Sequence, residues 1–251
     1  MQIKEVKAKT VLNPCGIAGI DFVINPYIGC SFACRYCYAS FMGRLVGKKV
    51  EEWGSYVFPK VNAVFLLKKE LPKKLKDKGA GKEIFFSSVT DPYQGIEVKY
   101  QLTRGCLEAL LEFGFLGTVS ILTKSDLVLR DLDLFKKFKH VSVGLTVTST
   151  DDGISRYFEK YAPAVSKRFS ALKTLSQNKI PTYAFIGPLL PHFSAKKDEL
   201  EKIFKKLVEV GTKDIFIEHL NLSSYIRSRL IKEIKEVDRK IINEFYLSSS
   251  K

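Results

Sequence analysis

The chain has 251 residues, of which 41 are Lys or Arg and 27 are Asp or Glu, so its formal net charge is +14. This charge excludes an acidic solvating protein, and the hydrophobic fraction of 45% excludes low-complexity disorder because it supplies enough apolar surface for a packed core. A strongly basic chain favours a polyanionic partner such as DNA or RNA. A lysine-rich solvated surface explains the same charge equally well.

The first residues of the sequence do not have the pattern of a secretory signal peptide. The first ten residues, MQIKEVKAKT, contain no apolar signal region, and no apolar run in the sequence approaches the roughly 18 residues of a membrane-spanning helix. Three of the five cysteines lie within eight residues, which favours a metal site with reduced thiols over a disulfide framework. We therefore expect a cytoplasmic protein with no membrane partner.

Six short runs of β-branched and aromatic residues predict strands, and helical periodicity fills the segments between them. The predicted strands are at 21–27, 83–89, 118–123, 141–148, 182–186 and 214–218. Their interiors, such as IFFSSV and VSILT, lack clean alternation, as expected for strands that are covered on both faces. This pattern predicts an α/β fold with a parallel sheet built from repeated βα units.

Two of the intervening segments, 102–113 and 200–208, have apolar stripes at helical spacing. Ser194 and Gly211 provide start and stop signals around the second of them. Six βα units are fewer than the eight that close a full barrel, so we expect an incomplete (β/α)6 barrel of the TIM type, laterally open to a large substrate. The chain is predicted to form a single domain, 1–251, comprising an N-terminal extension at 1–21, a barrel core at 22–221 and a C-terminal helix at 222–251.

Directly after the first predicted strand, Cys30, Cys34 and Cys37 have the spacing C-x3-C-x2-C. Thiolates this close in sequence can converge on one metal centre. Structural zinc needs a fourth protein ligand, and the remaining cysteines, Cys15 and Cys106, lie far away in sequence, as do the histidines. Thiolates also select iron-sulfur clusters, and a cubane held by three cysteines leaves one iron with an open coordination position. The spacing alone leaves both metals open.

The segment CSFACRYCY resembles the cysteine motif of the radical S-adenosylmethionine superfamily. This resemblance implies a 4Fe-4S cluster and S-adenosylmethionine as cofactors. In the superfamily, the open iron binds the amino and carboxylate groups of S-adenosylmethionine, and electron transfer cleaves it to methionine and a 5′-deoxyadenosyl radical that abstracts hydrogen from substrate. Further stretches resemble the spore photoproduct lyase-like (DNA repair photolyase-like) group: VINPYIGC, TDPYQGIE, LTRGCLEAL, ILTKSDLVLRDLDL, APAVSKR and PLLPHF. This narrower likeness spans residues 22–193.

The resemblance also implies which residues bind the cofactor. Thr90 and Asp91 follow the second predicted strand, where the superfamily holds the amino group of S-adenosylmethionine, and an Asx turn at Asp91 is the alternative structural role. Lys124 ends the third strand, where an ammonium near the barrel interior needs a partner, and the resemblance implies the cofactor carboxylate. Thr146 and Thr148 share one face of the fourth strand, where they contact the cofactor or serve as ordinary strand residues.

Tyr36 and Tyr38 flank Cys37, so both are predicted to lie close to the cluster. In lyases of this group, the tyrosines on either side of the third cysteine belong to a hydrogen-atom relay. The relay also includes a cysteine, which lies just before the position that Thr90 and Asp91 occupy in this chain. Val89 occupies that position here, which disfavours reversal of a thymine dimer. The resemblance implies catalytic roles for Tyr36, Tyr38 and Asp91, and places Tyr38 beside the cofactor.

Polar residues at the strand ends are candidates for substrate contact, because active sites of such barrels lie at the C-terminal ends of the strands. They are Tyr93, Gln94, His192, Glu218 and His219. The leading hypothesis is a radical enzyme that acts on a nucleic acid or modified nucleotide and receives electrons from an external donor. The alternatives are the same chemistry on a peptide or small metabolite, and a non-catalytic zinc or iron-sulfur module that binds nucleic acid.

Overall fold

The structure is a computed structural model that describes residues 1–190 and 194–233. Within these residues, ten strands form two sheets. The strands are β1 (Gln2–Ile3), β2 (Leu12–Pro14), β3 (Phe22–Ile24), β4 (Tyr27–Ile28), β5 (Tyr56–Pro59), β6 (Glu83–Phe86), β7 (Thr118–Thr123), β8 (His140–Thr146), β9 (Thr182–Leu189) and β10 (Asp214–His219). The helices are α1 (Ala63–Lys74), α2 (Glu97–Tyr100), α3 (Leu102–Phe113), α4 (Leu132–Phe135), α5 (Asp152–Phe158), α6 (Val165–Gln177), α7 (Lys197–Glu209) and α8 (Ser224–Glu233).

The larger sheet has seven strands in the order β10-β9-β8-β7-β6-β3-β2. Neighbouring strands from β3 to β10 pair in parallel, whereas β2 pairs antiparallel with β3. Because β10 and β2 are opposite edges, the described part of the chain forms an open sheet and not a closed barrel. This architecture confirms the predicted α/β fold with a parallel, laterally open sheet.

Helix α3 shows how the apolar stripes build the core. Cys106, Leu107 and Leu110 are fully buried on one side of the helix and belong to the same apolar cluster as Ile84 of β6. Their spacing of three and four residues places them on one helical face. Gly114 ends the helix with a φ of 73°, a left-handed conformation that glycine adopts without steric penalty. The predicted helix at 102–113 is therefore confirmed.

The first predicted strand, 21–27, is divided in the structure. β3 ends at Ile24, and the chain turns through Asn25 and Pro26 before β4 begins at Tyr27. Pro26 has no N–H group to donate to a strand ladder, which explains the interruption. β4 then pairs with β5 in the smaller sheet, whose order is β1-β5-β4.

The predicted N-terminal extension, 1–21, contributes strands to both sheets, since β1 pairs with β5 and β2 with β3. Glu70 on α1 anchors it further, because its carboxylate accepts hydrogen bonds from Leu12 N–H at 2.9 Å and Thr10 Oγ1 at 3.0 Å.

Of the predicted C-terminal helix, 222–251, the structure describes α8, and the residues after 233 lie outside the described ranges. The single-domain division stays a prediction. In residues 1–190 and 194–233, no helix combines the length and apolarity needed to cross a membrane.

Candidate active site

The three clustered cysteines lie on the loop that follows β4 and precedes a 3-10 helix at Tyr38–Val46. Gly29 opens this loop with a φ of 86°, and a Cβ at this position would lie 2.5 Å from the carbonyl oxygen of Tyr56, so glycine is required here. Cys30 and Cys34 are 7% and 6% exposed, and both pack with Cys37 in one apolar cluster. The fold therefore gathers the three predicted ligands in one largely buried loop.

Two segments that are distant in sequence hold this loop through its backbone. Cys34 forms an antiparallel bridge with Glu159, and Arg35 N–H donates to the Phe158 carbonyl oxygen at 2.9 Å. From α8, Arg229 Nη2 donates to the Cys34 carbonyl oxygen at 2.9 Å. No local motif marks either segment as a partner of the cysteines, so sequence reasoning missed both.

All three cysteines of the loop are free thiols, and burial raises the pKa of each. The pKa of Cys34 rises to about 12, although the charge of Lys124 opposes the rise. Without metal, the thiols therefore stay protonated at neutral pH, and metal binding releases protons.

The donor set of this loop fits an iron-sulfur cluster. Three free thiols share a buried, apolar surrounding, and thiolates are the protein ligands of such clusters. Across the described residues, no three His, Cys, Asp or Glu side chains are placed to hold a single metal ion. A cubane has a different requirement, because each of its cysteines binds a separate iron.

Asp91 lies after β6, and its carboxylate is buried and hydrogen-bonded. Oδ1 accepts from Tyr93 N–H at 2.9 Å and from Thr123 Oγ1 at 2.6 Å, while Oδ2 accepts from Lys124 N–H at 2.8 Å. The bond from Tyr93 closes an Asx turn, the structural alternative for this residue. Since a carboxylate oxygen can accept two hydrogen bonds, Oδ2 retains one acceptor position.

Lys124 lies directly after β7, and its Nζ is 5.8 Å from the centre of the Tyr36 ring. Burial lowers the pKa of this ammonium, but the nearby Cys34 and Glu159 outweigh burial and raise it overall, so Lys124 is charged. Among residues 1–190 and 194–233, no carboxylate lies within ion-pair distance of Nζ. A cation in such surroundings requires an anionic partner.

A buried ion pair that the sequence analysis missed lies beside the cysteine loop. Glu159 and Arg168 pair with both side chains 0% exposed, and the Tyr36 hydroxyl donates to the same carboxylate. Burial alone would raise the pKa of Glu159, but the charges of Arg168 and Lys124 and the hydrogen bonds from Arg168 and Tyr36 together outweigh burial and lower it. Thr148 Oγ1 donates to Glu159 at 3.3 Å, and Arg168 Nη1 donates to the Thr146 carbonyl oxygen at 3.1 Å. Both threonines predicted to bind cofactor therefore contact this pair.

Tyr38 is more accessible than Tyr36, with 41% of its surface exposed. Its hydroxyl donates to the Ser88 carbonyl oxygen, just after β6. Its own carbonyl oxygen accepts from the Tyr225 hydroxyl on α8 at 2.8 Å. Tyr38 thus bridges the residues after β6 and helix α8, next to the third cysteine.

Tyr93 and Gln94 are two of the residues predicted to contact substrate. Both side chains are fully buried. The Tyr93 hydroxyl donates to Asp131 Oδ2 at 3.0 Å, and the Gln94 amide donates to Thr90 Oγ1 at 2.9 Å. The polar groups of both side chains are bonded inside the protein, and their role in substrate contact stays a prediction.

The remaining residues predicted for substrate contact lie at the edge of the sheet or outside the described ranges. Glu218 and His219 are exposed at the end of β10, an edge strand. His192 falls in the gap between residues 190 and 194. The roles of Glu218, His219 and His192 stay predictions.

The described residues thus form an open parallel α/β sheet with a buried three-cysteine loop beyond its first parallel strand, an arrangement typical of partial-barrel proteins whose thiolates can hold a metal centre. The family model of the radical SAM superfamily matches residues 24–207, and the chain belongs to this superfamily. It is therefore an enzyme whose cofactors are a 4Fe-4S cluster and S-adenosylmethionine. This result confirms the predicted enzyme class and cofactors.

Relatives and solved structures agree with this membership. An uncharacterized protein of Methanocaldococcus jannaschii is 44% identical over 191 residues, which cover 76% of this chain and 69% of the relative. An uncharacterized protein of Acidianus two-tailed virus is 29% identical over 237 residues, covering 89% of this chain and 76% of the relative.

Among solved structures, a double mutant of spore photoproduct lyase with bound S-adenosylmethionine and dinucleoside spore photoproduct matches with a TM-score of 0.68 at 16% identity. The match covers 93% of this chain and 66% of the lyase, so the chain spans about two thirds of the length of that protein. At this level of identity, the likeness establishes the partial-barrel fold.

Proposed function

We propose that Cys30, Cys34 and Cys37 bind the 4Fe-4S cluster. The main supporting observation is the Lys124 ammonium, which lies beside this buried thiol loop with no carboxylate of the described residues at ion-pair distance. When bound, the reduced cluster supplies the electron that cleaves S-adenosylmethionine to methionine and a 5′-deoxyadenosyl radical, the species that abstracts hydrogen from substrate. The residues around the loop then have to bind and orient the cofactor.

The charges of these residues match the methionine end of S-adenosylmethionine. The Lys124 ammonium binds the cofactor carboxylate as a charge-assisted pair. The remaining acceptor position on Asp91 Oδ2 and a lone pair of the Thr90 hydroxyl accept from the cofactor ammonium. The bond from Lys124 N–H to Asp91 Oδ2, at 2.8 Å, holds the Asp91 carboxylate against the backbone of Lys124.

Tyr36 and Tyr38 serve the reaction in this proposal. The Tyr36 hydroxyl is held by the buried Glu159 carboxylate, whereas the Tyr38 hydroxyl lies in a partly exposed position against the Ser88 carbonyl. One phenol is therefore fixed in an environment without solvent, and the other lies where a substrate can approach. Thr146 and Thr148 complete the cofactor side of the site.

The substrate class in this proposal is a nucleic acid or modified nucleotide. A net charge of +14 favours a polyanion, and the sheet is open at its edges to a large substrate. The similar lyase structure was solved with a dinucleoside photoproduct. Val89 in the place of the relay cysteine argues for a reaction other than thymine-dimer reversal.

As a radical SAM enzyme, the protein takes its electron from an external reductant. We place this reaction in the cytoplasm, because the free thiols of Cys30, Cys34 and Cys37 persist where disulfides are kept reduced.

The cluster assignment is tested by anaerobic reconstitution with iron and sulfide, reduction with dithionite, and assay of 5′-deoxyadenosine. We expect the wild type to hold about four iron and four sulfide per chain and to form 5′-deoxyadenosine. Cys34→Ala should lose both, whereas Cys106→Ala, which removes a buried cysteine from α3, should keep both. Zinc without sulfide in the wild type would contradict the proposal and support a zinc module.

The substrate class is tested separately, by fluorescence anisotropy of labelled DNA and RNA oligonucleotides. Binding should weaken as salt rises, with a log–log slope of about −0.9 for each phosphate contacted on duplex DNA. Absence of binding to every oligonucleotide at low salt would overturn the nucleic-acid substrate and leave a peptide or small metabolite.

A further inference from the structure

The side chain of Gln94 forms hydrogen bonds on both sides of Cys30. Its Oε1 accepts from Ser31 N–H at 2.8 Å, and its Nε2 donates to the Gly29 carbonyl oxygen at 3.2 Å. Nε2 also donates to Thr90 Oγ1 at 2.9 Å. One fully buried amide therefore connects the residues immediately before and after a predicted cluster ligand to a predicted cofactor ligand.

The chemistry of the partners allows only one orientation of this amide. Ser31 N–H can only donate, so it must face Oε1, and the Gly29 carbonyl can only accept, so it must face Nε2. Both N–H groups of Gln94 are then used, one on Gly29 and one on Thr90. A carboxylate at this position can still accept from Ser31 N–H, but it cannot donate to the Gly29 carbonyl or to Thr90 Oγ1. An aliphatic side chain loses all three hydrogen bonds.

The Thr90 hydroxyl is fixed by the same arrangement. Its proton is donated to the Gly29 carbonyl oxygen at 2.6 Å, and one of its lone pairs accepts from Gln94. A hydroxyl has one proton and two lone pairs, so a single acceptor position remains for a ligand. Gln94 thus determines which side of Thr90 can accept a further hydrogen bond.

We propose that Gln94 is a positioning residue, which holds Cys30 as a cluster ligand and Thr90 as a cofactor acceptor in a fixed mutual arrangement. This role rests on the proposed function, because it requires Cys30 to bind the cluster. Gln94 acts through the backbone at Gly29 and Ser31, to which its side chain is hydrogen-bonded. Hydrogen-bonded partners of metal ligands commonly influence metal retention in this way.

The test compares Gln94→Leu and Gln94→Glu with two controls, in reconstituted full-length protein. Gln177→Leu makes the same change at an exposed position on α6, and Leu107→Ala destabilises the core on α3 away from the cysteine loop. The measurements are the rate of cluster loss to an iron chelator, the EPR spectrum of the reduced cluster with and without S-adenosylmethionine, and the thermal midpoint of the apoprotein. The midpoint reports on folding, whereas the other two report on Cys30 and Thr90.

We expect Gln94→Leu to lose its cluster about tenfold faster than wild type and to need about tenfold more S-adenosylmethionine for the EPR change. Gln94→Glu should fall between wild type and Gln94→Leu, because it keeps the acceptor for Ser31 N–H. Leu107→Ala should lower the thermal midpoint without faster cluster loss, and Gln177→Leu should match wild type. If Gln94→Leu does not fold, Gln94→Glu decides the question by the same readouts.

The proposal is overturned if the Gln94 variants lose cluster no faster than Leu107→Ala and keep the wild-type response to S-adenosylmethionine. That outcome leaves the proposed function intact as long as the wild type holds a cluster that Cys34→Ala lacks. If the wild type binds no iron-sulfur cluster, the proposed function and the role of Gln94 fail together.

Discussion

Glu159 and Arg168 form an ion pair in which both side chains are fully buried, nine residues apart in sequence. Each charge depends on the other, because the loss of one partner leaves an uncompensated charge in a medium of low polarity. The Tyr36 hydroxyl donates to the same carboxylate, and Tyr36 lies between Cys34 and Cys37 in the sequence. The pair therefore connects the stability of the fold to the position of the cysteine loop.

Replacement of Glu159 by Gln should destabilise the protein strongly. Arg168 would remain charged and buried without its partner, which costs about 3–5 kcal/mol in comparable cases. The change is measured as the free energy of unfolding of the apoprotein in urea. As a control, Glu209→Gln removes an exposed ion pair with Lys206, 3.3 Å long, and should leave the urea midpoint nearly unchanged. Equal effects of the two substitutions would contradict a special role for the buried pair.

Replacement of Lys124 by Met should weaken binding of S-adenosylmethionine. The substitution keeps most of the side-chain volume and removes the ammonium that we propose to pair with the cofactor carboxylate, a loss of about 1.5–3 kcal/mol or tenfold and more in affinity. The measurement is a titration of the reduced, cluster-loaded protein followed by EPR. Lys139→Met, at an exposed position before β8, is the matched control and should bind like wild type. Unchanged affinity in Lys124→Met would remove this lysine from the cofactor site.

Replacement of Gly29 by Ala should disrupt the cysteine loop. The new Cβ would meet the Tyr56 carbonyl oxygen at 2.5 Å, and the φ of 86° is strained for alanine, so we expect a loss of about 1–3 kcal/mol in stability together with reduced iron and sulfide content. Gly16→Ala is the control, because no atom lies within 4 Å of a Cβ at Gly16. Full iron and sulfide content in Gly29→Ala would show that the loop tolerates a different backbone path.

The carboxylate of Glu70 should make stability depend on acid pH. Burial alone would raise its pKa, but hydrogen bonds from Lys74, Leu12 N–H and Thr10 outweigh burial and lower the pKa from 4.5. Because the folded pKa is the lower one, the stabilisation is complete above the ordinary pKa and is lost as pH falls through the folded pKa.

This dependence is measured as the difference in unfolding free energy between wild type and Glu70→Gln across a pH series. The difference should be about 1–3 kcal/mol at neutral pH and should shrink on acidification. Glu201→Gln, at an exposed position on α7, should show no such trend. A difference that stays constant down to pH values below the folded pKa would exclude the charge as its source.

The parts of the site that could be predicted from sequence are those whose residues lie close together along the chain. Cys30, Cys34 and Cys37 share one loop, so their spacing alone indicates a metal centre, and the strands stand out because their interiors are apolar. The contacts of Cys34 with Glu159 and Arg229 join segments more than 100 residues apart, for which no pattern exists. The burial of Gln94 depends on how the turn after Asp91 folds back on the cysteine loop, which composition does not reveal.

The hydrogen bond from Arg229 to the Cys34 carbonyl oxygen joins residues that are 195 positions apart. During synthesis the cysteines leave the ribosome early, whereas Arg229 follows only after all six parallel strands. The loop therefore has its full set of backbone contacts only when translation has passed residue 229. A nascent chain that is interrupted earlier therefore presents the three thiols without the contact from helix α8 to the loop backbone.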